Sequence, residues 1–317
     1  MPYLPPLPEE LQQVEYVKLY FHLQVTDYFD LPQLGLLQLR RELFQALRTL
    51  EGWGATEQTK ELKRLLQPPL SDDPVVRRQT QKPAPAFVLS PDAELNGAIK
   101  PQQMIVLPAL FVGWGVQNID GFIALLQQLG QQGLYHGSGK FVLEGVESED
   151  ASGVRAMLWT NAMVAPVSPP VNDLHWLLER QLSAADQFTM EVISPLRLLQ
   201  KKKPLFKTSF VDLFPFVLRR VSSVLTSHAE VEVVKNPKPL LALSQQVVVG
   251  KSSLHWKDWR RLTGAGQSQD LGGLCGCLGV SGPALMELLW LLQLGSLFNV
   301  GKGAAYGSGQ YRLRTYC

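Results

Sequence analysis

The apolar positions of this chain change period repeatedly, and each change marks an element. In "EYVKLYFHLQV" Val17, Leu19, Phe21, Leu23 and Val25 alternate with Lys18, Tyr20, His22 and Gln24, the period of a strand with one buried face. In "LPQLGLLQLRRELFQALRTL" the apolar set moves to helical spacing at Leu36, Leu39, Leu43, Phe44 and Leu47, and Gly52 closes the run. A polar, proline-containing connection over residues 56–85 leads to two more strand candidates, "AFVLS" and "QMIVLPALFVG". "NIDGFIALLQQLG" predicts an amphipathic helix stopped at Gly130, and "GLYHGSGKFVLEGV" a glycine-rich turn running into a strand.

The second half repeats that order. "DQFTMEVISPLRL" reads as a strand and "SFVDLFPFVLRRVSSVLTS" as a helix with Pro215 at a kink or late start. "QQVVVGKSSLHW" and "GGLCGCLGV" are strand candidates, "SGPALMELLWLLQLG" a helix, and "YRLRTY" a closing strand reached through the glycine loop "GKGAAYGSGQY". Strand, helix, strand, strand, helix, strand is the ferredoxin-like order. The chain is therefore expected to be α+β, with tandem ferredoxin-like (βαββαβ) domains at 1–150 and 187–317 joined by a connector at 151–186. Each would be an antiparallel sheet with helices on one face. The last helix is apolar almost all round, from Leu285 to Leu292, so both of its faces should be covered.

Composition narrows the function classes. The three cysteines, Cys275, Cys277 and Cys317, give neither a disulfide framework nor the ligand set of a structural metal site, so no metal and no cofactor is expected. The proline-rich start "MPYLPPLPEE" does not read as a secretory signal, and "ALMELLWLLQLGSLF", interrupted by Glu287 and Gln293, is too short to span a bilayer. A cytoplasmic protein without a membrane partner is the expectation. The formal charge of +2 hides an asymmetry: from Gln187 onward there are 16 Lys and Arg against 7 Asp and Glu, and before it 14 against 21. A basic half beside an acidic one suits a polyanionic partner.

The basic half holds the candidate binding chemistry. In the glycine loop Gly301, Gly303, Gly307 and Gly309 leave backbone amides open to an anion; Lys302 adds charge, and Tyr306 a ring on which a base could stack. Lys201, Lys202, Lys203 and Lys207 follow the first strand, Arg219 and Arg220 lie on the first helix, and "HWKDWRR" supplies Lys257, Arg260, Arg261 and two tryptophans. Cations interleaved with aromatics suit single-stranded or hairpin RNA.

"LLQLGSLFNVGKGAAYGSGQYRL" resembles the carboxy-terminal glycine-rich signature of the CRISPR-associated RAMP-superfamily endoribonucleases that process precursor crRNA, matching at Val300, Gly301, Lys302, Gly303, Tyr306, Gly307 and Gly309. "ISPLRL", "VLRRVSSVL", "WKDWRRLTGAGQ…LGGLCG", "LRRELFQAL" and "GQQGLYHGSGKFVLEGV" are similar to further stretches of that family. The resemblance implies binding of CRISPR repeat RNA and metal-independent cleavage by the ribose 2′-OH. It further implies retention on the product crRNA within an effector complex, with other CRISPR subunits as partners. The alternative is a non-catalytic RAMP subunit that holds the guide RNA. A tandem ferredoxin-like ligand sensor would explain the fold but not the basic half.

The family often places its catalytic histidine near the start of the first domain's first helix, where "DYFDLPQLGLLQLRRELFQALRTLEGWG" has none. His22, on the polar side of the preceding strand, and Tyr28, in the strand–helix connection, are the catalytic candidates; His136, His175, His228 and His255 are the remaining histidines. In "RRLTGAGQ", Ala265 or Gly266 stands where the family often has an arginine.

Overall fold

The computed structural model of the protein describes residues 5–54, 56–70, 83–160, 168–182, 185–258, 260–262, 268–270 and 272–315. Ala265 and Gly266 lie outside the described residues. The chain divides into two compact units, one made of Glu10–Leu177 with Ser223–Val231, the other of Leu178–Ser222 with the chain from Glu232.

In the first unit β1 (Glu15–Val25) is the centre of the sheet. Val17, Leu19, Phe21, Leu23 and Val25 are buried as their alternation requires, but Tyr16 and Tyr20 on the other face are buried as well. The strand pairs antiparallel with β5 (Met104–Val112) along Tyr16–Gln24 and with β6 (Phe141–Glu149) along Lys18–Val25. The remaining strands are β2 (Phe29–Leu31) and β4 (Gly97–Ile99), which pair with each other, and β3 (Phe87–Leu89) and β7 (Arg155–Thr160) at the sheet's two sides. The path β3-β5-β1-β6 places the second, third, first and fourth strands of the repeat side by side, with β7 added beyond.

Helix α1 (Leu39–Trp53) and α3 (Ile119–Gln132) supply the covering layer. Phe122 of α3 lies 5.7, 5.1 and 5.2 Å, ring to ring, from Phe21, Phe87 and Phe111, an aromatic knot whose loss at Phe122 would cost about 3–5 kcal/mol. Where the sequence suggested only a connection over 56–85, helix α2 (Glu57–Leu66) forms. Its start is fixed by reciprocal bonds between Thr56 and Thr59, and Leu62, Leu65 and Leu66 are buried. The expected connector at 151–186 is also partly built into elements. It contributes β7, the short β8 (Asn172–Asp173), which pairs with the start of β1, and α4 (Leu174–Gln181).

The second unit's sheet follows the same permutation. Its strands are β9 (Gln187–Leu196), β12 (Val248–Ser252), β16 (Gly273–Ser281) and β17 (Tyr311–Thr315), in the order β12-β16-β9-β17. Short strands β10 (Leu199–Gln200) and β11 (Lys203–Pro204) form a hairpin, β13 (His255–Lys257) pairs with β16, and β14 (Arg260–Leu262) pairs with β15 (Ser268–Asp270). Helix α5 (Phe210–Ala229) runs through Pro215, its residues from Ser223 onward belonging to the first unit, and α6 (Lys238–Ser244) is followed by α7 (Pro283–Phe298).

The apolar circumference of α7 is matched by burial on nearly every side, from Ala284 to Phe298. Gly295 permits part of this packing, since a Cβ there would meet the Tyr311 hydroxyl and, at 2.6 Å, Cγ1 of Val217. The Tyr311 hydroxyl donates to the Leu292 carbonyl at 2.6 Å, tying β17 to the helix. Among the described residues no helix is long and apolar enough to cross a membrane.

Candidate functional site

The segment between α7 and β17 is a bend with four left-handed glycines: Gly301 (φ 94°), Gly303 (84°), Gly307 (96°) and Gly309 (69°). It is anchored to the end of β9 by bonds that use many of its own amides. Lys302 N–H donates to the Arg197 carbonyl (2.9 Å), Gly309 N–H to Pro195 (3.0 Å), Val300 N–H to Gly309 (3.1 Å) and Gln310 N–H to the Ser194 hydroxyl (2.8 Å). Tyr306, Gly307 and Ser308 donate within the bend, to the carbonyls of Gly303, Ala304 and Gly303.

Glycine spacing alone offers the whole bend to an anion, and the hydrogen bonding corrects that. Gly307 and Gly309 are framework; the amides of Gly301, Gly303, Ala304 and Ala305 take no part in these bonds, but Ala304 and Ala305 are buried. Lys302 and Gly303 are exposed on that stretch. Tyr306 is 5% exposed, so its ring packs in the protein and offers no face to a base. The loop's rigidity is the useful property: an anion meeting it finds donors already held in place.

The same anchoring residue leads into the lysine cluster. Arg197 lies two residues before β10, and the β10–β11 hairpin turns through Lys201 (φ 48°) and Lys202 (φ 67°). Two left-handed central residues make the tight turn that usually takes Asn-Gly; two lysines there bear about 1–2 kcal/mol each. Lys201, Lys202 and Lys203 are exposed together as a result. Just beyond, Phe206 is 57% exposed, its ring edge-on to Trp256 at 4.7 Å, and the Arg197 guanidinium is 5.9 Å from the same indole. Sequence reasoning misses Arg197 and Phe206 as individuals, although "KPLFK" shows an aromatic set among lysines; Trp256 is one of the two tryptophans read from "HWKDWRR".

The two helix arginines separate. Arg219 is exposed and sits 4.8 Å over the Phe216 ring. Arg220 donates through Nε (3.2 Å) and Nη2 (3.0 Å) to the Phe298 carbonyl at the end of α7, and burial pushes its pKa down to about 10. A guanidinium so engaged closes a helix end, and Arg220 is withdrawn from the expected RNA contacts. Arg260 and Arg261 are on β14, and their side chains lie outside the described residues.

In the first unit the catalytic candidates stand in unlike settings. His22 is half-buried on β1 with Nε2 3.2 Å from Glu147 Oε2. Farther along the strand, opposite Lys18, Glu149 takes Lys18 Nζ at 2.5 Å, the Tyr20 hydroxyl and Arg155 Nε at 3.4 Å. Burial raises the Glu149 pKa, but the hydrogen bonds from Lys18, Tyr20 and Arg155 outweigh it and leave it below the ordinary value of 4.5. Tyr28 is exposed and donates to Asp30 at 3.2 Å, a bond that raises the pKa of its phenol.

The other histidines divide likewise. His228 is buried between the Trp114 indole N–H (3.1 Å to Nδ1) and the Ala84 carbonyl (2.8 Å from Nε2). His255 is exposed, 3.0 Å from the Ser253 carbonyl, and His175 lies on α4. His136 is exposed at the tip of the turn before β6, with Nε2 3.5 Å from Nη1 of Arg41.

Residues 190–311 match the family model described as CRISPR-associated endoribonuclease Cas6, and residues 11–169 match a second model described as an N-terminal domain. Comparison with curated protein sequences gives no match. Among solved structures, a partial Cas6-RT-Cas1–Cas2 complex aligns with a TM-score of 0.58 at 13% identity, over 98% of this chain and 47% of that one. The chain thus spans about half the length of that relative. A Cas6 product complex aligns with a TM-score of 0.53 at 15% identity, covering 94% of this chain and 99% of the other. Thermus thermophilus Cas6 aligns at 0.50 and 14% identity, covering 95% and 99%. At such identities the likeness is one of fold.

Proposed function

The chain belongs to the Cas6-like RAMP family, and on that premise we propose that it binds CRISPR repeat RNA and cuts precursor crRNA without a metal, by attack of a ribose 2′-OH on the neighbouring phosphate. The observation that carries the reading is the exposed Lys302 stretch anchored to Arg197, two residues ahead of a hairpin that presents Lys201, Lys202 and Lys203. Phosphates would meet Lys302, the neighbouring amides and the hairpin lysines. Phe206 and Trp256, with Arg197 beside them, form a surface suited to an unpaired base. Binding through cations and stacking favours a single strand or loop over a regular duplex.

The chemistry asks for a base to take the 2′ proton, a proton for the departing 5′-oxygen and a cation for the charge that gathers on phosphorus. Ordinary side chains supply all three. The products would be a 2′,3′-cyclic phosphate and a 5′-OH. CRISPR-associated proteins are the proposed partners, since one of the solved relatives is a Cas6-RT-Cas1–Cas2 complex. Retention on the product crRNA within an effector complex belongs to the same proposal.

A second reading, a RAMP subunit that holds the guide RNA without cutting it, is favoured by one observation: α1 contains no histidine. Labelled repeat RNA from the array of the same genome, incubated with the protein in EDTA, separates the two. Cutting at one position supports the enzyme, a shifted but intact band supports the holder, and no shift at low salt would overturn both.

A further inference from the structure

We infer that His136 is the general base for this cleavage, delivered by the turn between α3 and β6, with Arg41 of α1 as its cationic partner. The inference rests on the cleavage reading and deepens it.

The turn is built to hold one side chain in one place. Leu134 N–H donates to Gly139 (3.0 Å), and Tyr135 and Ser138 exchange bonds of 3.0 and 2.9 Å, leaving His136 and Gly137 as the two residues of a tight hairpin turn. Both are left-handed, His136 at φ 49° and Gly137 at φ 85°. Asn or Gly fills the first position most easily; a histidine there carries backbone strain. The turn is closed by its own hydrogen bonds and carries the imidazole at its tip, exposed to solvent. The Tyr135 ring packs edge-on against it at 4.3 Å.

Helix α1 meets this turn with paired charges. The Glu42 carboxylate, 6% exposed, accepts the His136 backbone N–H at 3.5 Å and lies 3.8 Å from Nε of Arg41. One buried carboxylate thus holds both the turn and the arginine. Nη1 of Arg41 can only donate, and it lies 3.5 Å from Nε2 of His136, a contact that the Nδ1–H tautomer of the imidazole would accept. In that tautomer the Nε2 lone pair faces the cation that would greet a phosphate. When a phosphodiester docks on Arg41, the guanidinium turns to the phosphate oxygens and Nε2 is freed for the adjacent 2′-OH.

The step balances within these groups and water. His136 Nε2 takes the 2′ proton, the 2′-oxygen bonds to phosphorus, and the phosphorus–5′-oxygen bond breaks. The 5′-oxygen takes a proton from water, and the imidazolium returns its proton to solvent. Arg41 faces the negative charge on the phosphorane oxygens. His22 offers a poorer setting, because the Glu147 carboxylate lies 3.2 Å from its Nε2 and opposes the approach of a phosphate there.

The test is single-turnover cleavage of labelled repeat RNA from the same genome's array, in EDTA, by wild type, His136→Asn and Arg41→Ala, with affinity measured on repeat RNA carrying a 2′-deoxy group at the cut. Asparagine accepts the left-handed backbone, so the turn is kept and only the base is lost. His136→Asn should lower the rate about a hundredfold or more with affinity retained. It should lose the acidic limb of the wild-type pH–rate profile, and imidazole in the buffer should restore part of the rate. Cleavage by His136→Asn at the wild-type rate, or loss of cleavage in His22→Ala alone, would overturn the assignment and leave the cleavage reading standing. Failure of wild type to cut would overturn both.

Discussion

Replacing Gly309 by alanine tests whether the carboxy-terminal bend is the rigid device described. At φ 69° an alanine costs about 1–2 kcal/mol for its backbone alone. Its Cβ would also run into the Val300 carbonyl oxygen and come within 2.9 Å of the carbonyl carbon. Backbone cannot rotate aside, so the bend must open, endangering the Gly309 N–H bond to Pro195 and the Val300 N–H bond to Gly309. Each is worth about 0.5–1.5 kcal/mol, so the total loss should be about 2–5 kcal/mol. Gly303→Ala is the matched control: its φ of 84° carries the same backbone cost, but the obstacle is the Ser308 hydroxyl at 2.9 Å, which can turn away. Urea unfolding of both variants should rank Gly309→Ala as more damaging by about 1–3 kcal/mol, and RNA affinity should fall with it as Lys302 loses its anchor. Equal losses, or a larger loss at Gly303, would refute the assignment of Gly309 to the framework.

Three further outcomes follow from named contacts. Lys302→Ala should reduce the slope of log affinity against log salt by about one, the signature of a lost phosphate contact; an unchanged slope would remove Lys302 from the interface. Arg220→Met should destabilise by about 1–3 kcal/mol, because the buried Phe298 carbonyl loses its donors, while the salt slope stays that of the wild type. Glu149 has its pKa lowered in the fold, so its contribution to stability is present above about pH 4.5 and lost as pH falls through the lower folded value. Glu149→Gln should therefore be less stable than wild type near neutrality by about 1–3 kcal/mol, with the gap closing in acid; a gap independent of pH would contradict the ion-pair reading.

Much of the architecture is legible in the sequence because the relevant signals are periodic. Alternation from Val17 to Val25 and the repeated element order give two sheets with one permutation, β3-β5-β1-β6 and β12-β16-β9-β17. Helix α2 is harder to see because its buried residues are only three leucines with Thr59, and its start depends on a Thr56–Thr59 reciprocal cap in place of the commoner acidic one. The site is readable in composition but not in allotment. Glycine spacing marks a bend, yet only the bonding of its amides divides Gly307 and Gly309 from the exposed Lys302 stretch. Adjacent arginines look alike in sequence; their different directions from the helix decide that Arg219 meets solvent and Arg220 the end of α7. Likewise nothing local to His136 announces Arg41, which lies 95 residues away in the chain and is brought to it by folding.

The chemistry of the ends left on repeat RNA after incubation with the protein in EDTA, read by mass, bears most directly on the proposed cleavage. A single cut is expected, bearing a 2′,3′-cyclic phosphate on one fragment and a 5′-OH on the other. Intact RNA in a stable complex, or fragments ending in a 3′-OH and a 5′-phosphate, would contradict attack by the ribose 2′-OH.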